Sequence, residues 1–387
     1  MDRLPAHFIG AAAVAVAIAH SFPVGAQELA DSTTASDSTA SEGEKSKDNG
    51  GHNLKFTVIP GPTYNPSLGW GLMLIPLAMY DVDPEDKVSP GSTTSLVGML
   101  TSNRSWIAGL GQKLYLSQDH WRLKANLGFV SVNQRFYGYG GNETGAYVNM
   151  TMEAVFALAE GLYQIFPHGY AGLQLSYRQS RFLGKDAQAD AVIEAAGINR
   201  TWDRNLLPGL RFDYDSRNLQ TAPWSGLLTA FTLTGASEAL GSTNSYASLS
   251  VIYSQFLALD AKKRNVLAWN VNVQGGFGDV PFDEYPDIGG NKALRGYIRG
   301  QFTDKNMLTT QVEWRWGPYW HRIGSVVFAG VGKVFPAWDK FGSQAWLPSG
   351  GFGLRVAAIP ERRMNARLDF AWGKEGGTIY FSVGEAF

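Results

Sequence analysis

The residue types that usually carry catalysis are present in this 387-residue sequence, but their spacing does not form a site. After residue 53 the histidines are His120, His168 and His321, and each lies in a short stretch that predicts a turn. No two of them have metal-ligand spacing, and no G-x-S-x-G motif occurs. Acids that occur close together, at 213–215 and 283–284, lie in predicted turns or loops. We predict no enzymatic activity, no cofactor and no metal site.

Ion pairing by arginine is the stronger chemical signal, and it lies in the glycine-rich stretch "IGGNKALRGYIRGQFTD", residues 288–304. The guanidinium of Arg295 can form two charge-assisted hydrogen bonds with a carboxylate, and its planar fork fixes the orientation of the pair. Gly296 beside it permits a close backbone approach or a positive φ. The alternative is an arginine solvated in an exposed loop. The elements that flank the stretch decide between the two.

Those flanking segments alternate between apolar and polar residues with a period of two. The stretch "WRLKANLGF" (121–129) places Trp, Leu, Ala, Leu and Phe on one face and Arg, Lys, Asn and Gly on the other. "QVEWRW" (311–316) and "RLDFAWG" (367–373) repeat the pattern, with Glu313 and Asp369 on their polar faces. This periodicity is typical of a strand with one buried face. Taken alone, it also fits a soluble β-sandwich.

Two features favour a membrane barrel over a sandwich. The apolar faces are bulky and rich in tryptophan and phenylalanine, whereas the polar faces carry full charges and glycines. The predicted strands are also long, at about 9 to 14 residues, which matches tilted membrane-spanning strands. In lipid every backbone polar group needs a partner, so such a sheet must close on itself. We predict an all-β, antiparallel transmembrane barrel with lipid outside and a wet, charged lumen.

Turn signals divide the chain into sixteen strands, an even number as expected of bacterial single-chain barrels. Fourteen strands is the alternative count. The short link "PHG" (167–169) is predicted to lie at the periplasmic end, as are "AKKR" (261–264) and "PERR" (360–363). The predicted strands are 55–63, 70–81, 92–102, 105–116, 120–134, 147–165, 169–182, 201–215, 226–239, 246–260, 265–278, 307–316, 324–335, 350–359, 365–373 and 378–387.

Three segments with different compositions predict the domain organisation. Residues 1–26 resemble a secretory leader, with Arg3, an apolar run at 9–19 and a small-residue cleavage pattern. Residues 27–53 are rich in Ser, Thr, Asp and Gly, so we predict a disordered tether. Residues 54–387 form the barrel. The formal charge of −1 argues against a nucleic-acid partner, and the lack of cysteine excludes disulfides and thiolate sites.

Within this barrel, residues 288–304 join predicted strands 11 and 12. There they resemble the sixth extracellular loop of the outer-membrane assembly and translocation superfamily. That superfamily includes BamA, TamA and the two-partner-secretion transporters and is often labelled bacterial surface antigen. Its loop carries a (V/L)-R-G-(F/Y) signature and folds back into the lumen. The matching residues here are Gly289, Gly290, Leu294, Arg295, Gly296 and Tyr297.

Further motifs of the same superfamily occur in its order along the chain. Glu313 resembles the lumen carboxylate that receives the loop arginine, and Asp369 is a second lumen-facing candidate. The final predicted strand is apolar-alternating and ends at Phe387. The strand-13 pattern F-x-(D/G)-x-G and the turn pattern D-x-R-(D/N)…P-x-x-G match Phe328, Gly330 and Gly332, and Asp213, Asp215, Arg217, Pro223 and Gly226.

The sequence departs from the superfamily pattern in two ways. Members normally carry periplasmic POTRA domains ahead of the barrel, and here only the tether is expected, so the chain resembles a POTRA-less member. Several members also have an aspartate where this sequence has Gly330. That departure leaves Glu313 as the expected close anionic partner of Arg295.

The resemblance implies an integral protein of the bacterial outer membrane that assists insertion or translocation of proteins or lipids. Its expected partners are outer-membrane lipids, the barrel assembly machinery during its own insertion, and a separate periplasmic protein in place of the POTRA domains. The implied mechanism is lateral opening between the first and last strands, and Pro60 and Pro62 in the first strand each lack a ladder donor. The alternative function is a passive channel or structural surface antigen without active translocation.

Overall fold

Sixteen antiparallel strands close into a barrel in the computed structural model of this chain. Each strand pairs with its neighbours along the chain, and the last strand returns to the first. The predicted leader, the predicted tether, His321 and the turn at 360–363 lie outside the described residues. The described residues are 54–65, 67–140, 146–219, 222–290, 293–320, 322–359 and 364–387.

The barrel strands are numbered in chain order. They are β1 (Lys55–Asn65), β2 (Gly69–Tyr80), β3 (Ser92–Thr101), β4 (Trp106–Leu116), β5 (Trp121–Phe136), β6 (Val148–Phe166), β7 (Gly169–Gly184), β8 (Asp203–Asp215), β9 (Gly226–Ala236), β10 (Tyr246–Ala258), β11 (Asn265–Gly278), β12 (Asn306–Trp320), β13 (Ile323–Phe335), β14 (Leu347–Ile359), β15 (Met364–Gly373) and β16 (Gly376–Val383).

The strand count and the all-β antiparallel class predicted from the sequence are confirmed. The fourteen-stranded and sandwich alternatives are excluded because the sheet closes through sixteen strands. The largest boundary differences occur at two strand ends. β12 continues to Trp320, four residues past the prediction, and β16 ends at Val383, four residues before Phe387.

The two faces of the barrel wall differ as the alternation predicts. Met99 is 2% exposed and its neighbour Leu100 is 69% exposed, because successive side chains point to opposite faces of a strand. Glu313 and Trp314 differ in the same way, since Glu313 is 0% exposed and Trp314 is 44% exposed. Apolar side chains therefore cover the outside of the barrel, and closure of the sheet satisfies the backbone hydrogen bonds that lipid cannot supply.

The lumen wall carries charged side chains, as predicted, but one part of it is apolar, which the sequence analysis did not predict. The inner wall of β2 to β6, together with Phe182 of β7, forms an apolar cluster that includes Met73, Met99 and Met152. Phe282, from the segment between β11 and β12, packs into this cluster. One part of the lumen is thus filled by hydrophobic packing, and the ionic groups occupy other parts of the wall.

The longest connection between strands, here called loop 6, is residues 279–305 between β11 and β12. Loop 6 contains a 3₁₀ turn at Phe282–Glu284 and a two-stranded pairing of Asp287–Ile288 with Phe302–Thr303. In the described part of the chain, no helix is both long and apolar enough to cross a membrane.

A helix that the sequence analysis missed, α1 (Ala187–Ala195), lies between β7 and β8. Asp186 caps its first turn by accepting a hydrogen bond from the Ala189 N–H at 2.8 Å, and Gly197 follows its end with φ +72°. An N-cap acid, an alanine-rich run and a C-terminal glycine are the usual helix signals and could have revealed it. The helix buries Ile193 against the barrel.

Candidate functional site

The base of loop 6 is attached to the barrel wall at β7. Arg178 of β7 forms an ion pair with Glu284 at 2.7 Å and donates a hydrogen bond to the backbone carbonyl of Asp283 at 3.0 Å. Ser180 donates to the Asp283 carboxylate at 2.8 Å. The paired acids at 283–284 lie in a loop, as predicted, and the structure shows that they also anchor it.

The middle of loop 6 is a narrow hairpin directed into the lumen. Arg299 forms a two-pronged ion pair with Asp287, with nitrogen–oxygen distances of 3.0 and 2.7 Å. Both side chains are nearly inaccessible to solvent. This second arginine of the stretch thus closes the hairpin on itself. The sequence analysis assigned it no partner, because both residues lie in the same loop and no strand periodicity marks them.

The glycines at the hairpin tip allow a tight, left-handed path. Gly289 has φ +126° and Gly296 has φ +108°. A side chain on Gly296 would place its Cβ 2.7 Å from the backbone carbon of Trp372. Gly290 donates its N–H to the carbonyl of Tyr297 at 3.2 Å. Glycine is therefore required at 296 for two independent reasons, backbone conformation and close approach to β15.

Arg295 lies at the tip of loop 6, inside the barrel and fully buried. Its guanidinium bonds the carboxylate of Glu313 on β12 and that of Asp369 on β15, the latter at 2.9 Å. The guanidinium carbon lies 3.6 Å from the ring centroid of Phe328 on β13. The structure thus places both sequence-predicted carboxylates on Arg295. The sequence left open whether Asp369 is within reach of Arg295, since alternation does not show how near β15 comes.

Three further arginines complete the charge cluster around Arg295. Arg315 bonds Glu313 at 2.7 Å, and Arg355 bonds Asp369 at 2.6 Å. Arg367 lies 3.7 Å from Asp369. Arg355 also bonds Glu385 at 2.8 Å. The cluster, defined by these seven residues, is Arg295, Arg315, Arg355, Arg367, Glu313, Asp369 and Glu385.

Sequence reasoning missed Arg315, Arg355, Arg367 and Glu385 as members of the site. A signal for the arginines was present, because Arg315 and Arg367 alternate in phase with the predicted lumen carboxylates. Burial alone would raise the pKa of the Glu385 carboxyl, but the charges of Arg355 and Arg315 outweigh burial and hold that pKa below its usual range. Glu385 is therefore a carboxylate at neutral pH.

Tyr297 fixes the other side of the loop tip. Its hydroxyl donates to the carbonyl of Pro348 at 2.6 Å and accepts from the N–H of Lys374 at 3.1 Å. Tyr380 of β16 bonds the loop backbone on both sides of this residue, accepting from Gly296 and donating to the Tyr297 carbonyl. Burial raises the pKa of Tyr297, so its phenol remains protonated and can donate.

The strand-13 motif forms a socket for the loop. Phe328 lies beneath the Arg295 guanidinium. A Cβ on Gly330 would lie 2.8 Å from Leu294, and one on Gly332 would lie 3.2 Å from Ile288. The two glycines therefore leave the space into which the apolar side chains of loop 6 fit.

This socket predicts the result of replacing Gly330 with the aspartate that several superfamily members have there. Gly330→Asp should lower the unfolding temperature on semi-native gels and make loop 6 more sensitive to protease. The added Cβ would meet Leu294, Gln311 and the Thr310 carbonyl within 2.8 Å. Gly342→Asp is the matched control, because nothing lies within 4 Å of its Cβ position. Equal unfolding temperatures of the two variants would contradict the claim that Gly330 leaves space for loop 6.

The turn motif does not join this site. Arg217 pairs with Asp215 at 2.8 Å, and Asp213 pairs with Arg211 at 3.0 Å, at and beside the connection between β8 and β9. Gly226 has φ +97°, and a Cβ there would lie 2.1 Å from the Ser216 carbonyl oxygen. Pro223 is buried in the same connection. These residues shape a turn at the opposite end of the barrel from loop 6.

Phe387 also lies elsewhere than predicted. Because β16 ends at Val383, Phe387 does not finish the last strand, and its ring lies 6.4 Å from that of the lumen-facing Phe256 on β10. The physical reason is a turn at Gly384, where φ is +88° and the chain leaves the sheet.

The assembled site has the chemistry of an anchor, because its central groups are arginines and carboxylates in mutual ion pairs. Among the described residues, no group of three or more His, Cys, Asp or Glu side chains could hold a metal ion. The arrangement can hold loop 6 across the lumen and connect β12, β13, β15 and β16 through it.

A closed antiparallel barrel occupied by its own arginine loop defines this chain as an outer-membrane-type β-barrel protein. The family model described as the Omp85 superfamily domain matches residues 102–387. The chain belongs to the Omp85 superfamily, a family of bacterial outer-membrane barrels with transport or insertion roles.

Solved structures show the same fold at low sequence identity. The chain is similar to BamA from Haemophilus ducreyi lacking POTRA domains 1–3, with a TM-score of 0.58, 14% identity and coverage of 85% of this chain and 70% of that one. It is also similar to CdiB from Acinetobacter baumannii, with a TM-score of 0.53, 12% identity and coverage of 86% of this chain and 65% of that one. For CdiB from Escherichia coli the TM-score is 0.59 and the identity 11%, with coverage of 86% of this chain and 63% of that one. The chain thus spans less than two thirds of each CdiB chain. A sequence search of curated proteins found no match.

Proposed function

We propose that this chain is an integral outer-membrane protein that assists insertion or translocation of proteins or lipids by opening laterally between β1 and β16. One observation carries the proposal. All 11 residues of β1 pair with β2, but among the described residues β1 pairs with β16 at a single position, Tyr64 with Phe381. The seam, meaning the junction of β1 and β16, therefore has fewer ladder bonds to break than the other junctions.

Prolines on the seam strand support the same proposal. Pro60 and Pro62 lie in β1 and have no N–H to donate to a neighbouring strand. A strand that lacks hydrogen-bond donors separates from its neighbour at a lower free-energy cost than a fully bonded strand does. We propose that a separate periplasmic protein delivers the client and that lipids surround the barrel wall.

A disulfide across the seam tests the proposal in a strain that requires the protein. The Tyr64→Cys, Phe381→Cys variant, here called the seam variant, should lose function when oxidised and regain it under reduction, because the covalent link prevents the two strands from parting. The chain has no cysteine of its own, so the bond is unambiguous. Gel mobility with and without reductant verifies that the link has formed.

The control links β1 to its other neighbour. Phe56 and Ala78 are paired across β1 and β2 and give the variant Phe56→Cys, Ala78→Cys. This link should leave function intact, since the proposed opening does not separate these strands. Full function in the oxidised seam variant would reject lateral opening.

A passive channel is the second candidate, and the filled lumen argues against it. Arg295, Tyr297 and Leu294 of loop 6 are at most 1% exposed. Planar-bilayer recording distinguishes the two functions. Small, flickering currents are expected from a lumen occupied by loop 6, whereas large, stable pores would favour the channel.

A further inference from the structure

The outward face of the barrel wall changes from apolar to charged along β6. At the end of β6 that is far from loop 6, the ring of Tyr163 lies 4.9 Å from that of Trp121 on β5, and both rings are exposed. Glu153, nearer to loop 6, is the first charged residue on the outward face of β6. The outward positions between Tyr163 and Glu153 are small or apolar: Gly161, Ala159, Ala157 and Val155.

The separation of Tyr163 and Glu153 matches the height of the apolar band around a membrane barrel. Ten residues of strand at about 3.3 Å each, tilted by about 40°, span about 25 Å along the barrel axis. An aromatic girdle residue and a charged residue at this separation lie at the two membrane interfaces. Outward residues of β5 to β8 that lie beyond Glu153 therefore face the lipid headgroups on the loop 6 side.

Two arginines at and beyond this boundary are backed by aromatic rings. Arg181 of β7 pairs with Glu153 across the two strands at 2.6 Å, and its guanidinium carbon lies 4.7 Å from the ring centroid of Trp202. The guanidinium carbon of Arg135 on β5 lies 4.5 Å from the ring centroid of Tyr147. Because the rings hold the guanidinium planes in place, these arginines lose less conformational freedom when they bind a ligand.

Arg135 and Lys185 flank Asn149 on three adjacent chain segments. Arg135 lies opposite Asn149 in the β5–β6 register, and the N–H of Lys185, directly after β7, donates to the Asn149 carbonyl at 3.0 Å. Neighbouring strands are about 4.8 Å apart, so the backbones of the two basic residues are about 10 Å apart. All three residues are exposed. Among the described residues, neither Arg135 nor Lys185 forms an ion pair with a carboxylate.

The charged outward residues lie together on one part of the wall. Arg204 of β8 is exposed and lies opposite Gln179, beside Arg181 on the same face. We define the rim patch as Arg135, Asn149, Glu153, Arg181, Lys185, Trp202 and Arg204. Its four basic residues and one acidic residue give a net charge of +3. By contrast, the described outward positions of β14 to β16 carry no charged residue and include the exposed apolar side chains of Phe352, Trp372 and Ile379.

We propose that the rim patch binds the phosphate groups of a lipid in the leaflet that it faces. Arg135 and Lys185 contact the phosphate, and the acyl chains lie against the apolar outward positions below, such as Val155 and Ala157. Arginine matches the geometry of phosphate oxygens, and lysine adds a point charge. A lipid fits better than a protein, because the patch directly borders the hydrocarbon band. This inference goes beyond the proposed lateral opening and does not depend on it.

Binding of lipid A, a phosphorylated and acylated glycolipid, to the folded full chain in detergent tests the proposal. The parent protein should bind lipid A about tenfold more tightly than the same lipid without its phosphates. The Arg135→Gln, Lys185→Gln variant, here called the rim variant, should lose this difference, because it lacks both cations that flank Asn149. Equal affinity of the parent for the two lipids would overturn the proposal.

The matched control removes two positive charges at the other end of the barrel. Lys262 and Lys263 lie in the exposed turn after β10, and the Lys263 Nζ lies 5.0 Å from the ring centroid of Trp224. The Lys262→Gln, Lys263→Gln variant should bind lipid A as the parent does. An equal loss of affinity in the control and in the rim variant would show a general effect of net charge and would overturn the rim patch.

A single substitution covers the case in which the rim variant does not fold. Asn149→Glu places a carboxylate between Arg135 and Lys185, so it should weaken the binding of lipid A about threefold by repelling the phosphate. Asn149 is exposed, so the barrel wall can accommodate the change. Unchanged affinity for lipid A in Asn149→Glu would overturn the proposal.

Two competitors identify the source of the phosphate and test for a protein partner. Inorganic phosphate should displace lipid A only at about 100-fold higher concentration, because it has no acyl chain to bury. A polyglutamate peptide should not displace lipid A. Displacement by inorganic phosphate at the concentration of lipid A would indicate a site for free anions, and displacement by the peptide would indicate an acidic protein partner. Either result would overturn the proposed lipid site.

The lipid measurement is independent of the seam experiment. The oxidised seam variant should bind lipid A as the parent does, because the rim patch lies on β5 to β8. Failure of lateral opening would appear as full function in the oxidised seam variant. Failure of the rim patch would appear as lipid binding that does not depend on phosphate, so the two failures are distinguishable.

Discussion

Asp369→Asn is expected to destabilise the barrel more than any other single change in the charge cluster. Asp369 bonds Arg295 at 2.9 Å and Arg355 at 2.6 Å and lies 3.7 Å from Arg367. Four buried arginines would then share two carboxylates, Glu313 and Glu385. Breaking one buried pair typically costs about 3–5 kcal/mol, because the remaining charge is left uncompensated. The loss here should be at least of that order.

The measurement is the temperature at which the folded barrel converts to the unfolded band on semi-native gels. The control is Asp190→Asn, which alters a half-exposed ion pair between Asp190 and Arg200. Exposed pairs contribute about 0–1 kcal/mol, so the control should unfold close to the parent temperature. If Asp369→Asn unfolds at the same temperature as the control, the charge cluster does not stabilise the barrel wall.

Arg295→Met is expected to release loop 6 with less damage to the wall. Without Arg295, three arginines face three carboxylates, so the remaining cluster is balanced. The loop tip, however, loses its bonds to Glu313 and Asp369 and its contact with Phe328. The free energy that is lost should again be about 3–5 kcal/mol. It should weaken the attachment of loop 6 and not the folding of the barrel wall.

Three readouts separate this result from general unfolding. Protease should cut loop 6 faster, single-channel currents should become larger and steadier, and the strand content should stay unchanged. Arg200→Met, at a half-exposed site, is the control and should change none of them. Arg295→Lys should fall between the two, because an ammonium keeps the charge but lacks the planar fork that reaches both carboxylates. Unchanged currents and unchanged protease sensitivity in Arg295→Met would show that Arg295 does not anchor loop 6 in the lumen.

The two variants together assign separate tasks to one cluster. Asp369 connects β14 and β15 from inside the wall, and Arg295 attaches the loop to that connection. Arg355 also bonds Glu385, and Arg315 donates to the Phe387 carbonyl, so the cluster contacts the residues that follow β16 as well as loop 6.

Strand number and strand facing followed from the pattern of the sequence, whereas the entry of loop 6 into the lumen was implied by the resemblance to the superfamily. Alternation between apolar and polar residues is a local property of a strand, and lipid requires the sheet to close, so positions such as Glu313 and Trp314 reveal their faces without knowledge of the fold. The Arg295–Gly296–Tyr297 motif by itself also fits an arginine solvated in an exposed loop, and only its resemblance to the superfamily signature pointed to the lumen.

The tertiary structure decided which distant groups meet. Asp369 lies near Arg295 because the loop tip packs against β15, and periodicity carries no information on distance across a lumen. The apolar inner wall with Met73, Met99 and Met152 depends likewise on Phe282 packing against it. The position of residues 384–387 depends on Arg355 and Arg315, which bond Glu385 and the Phe387 carbonyl. These are long-range contacts, and only the folded chain brings the partners together.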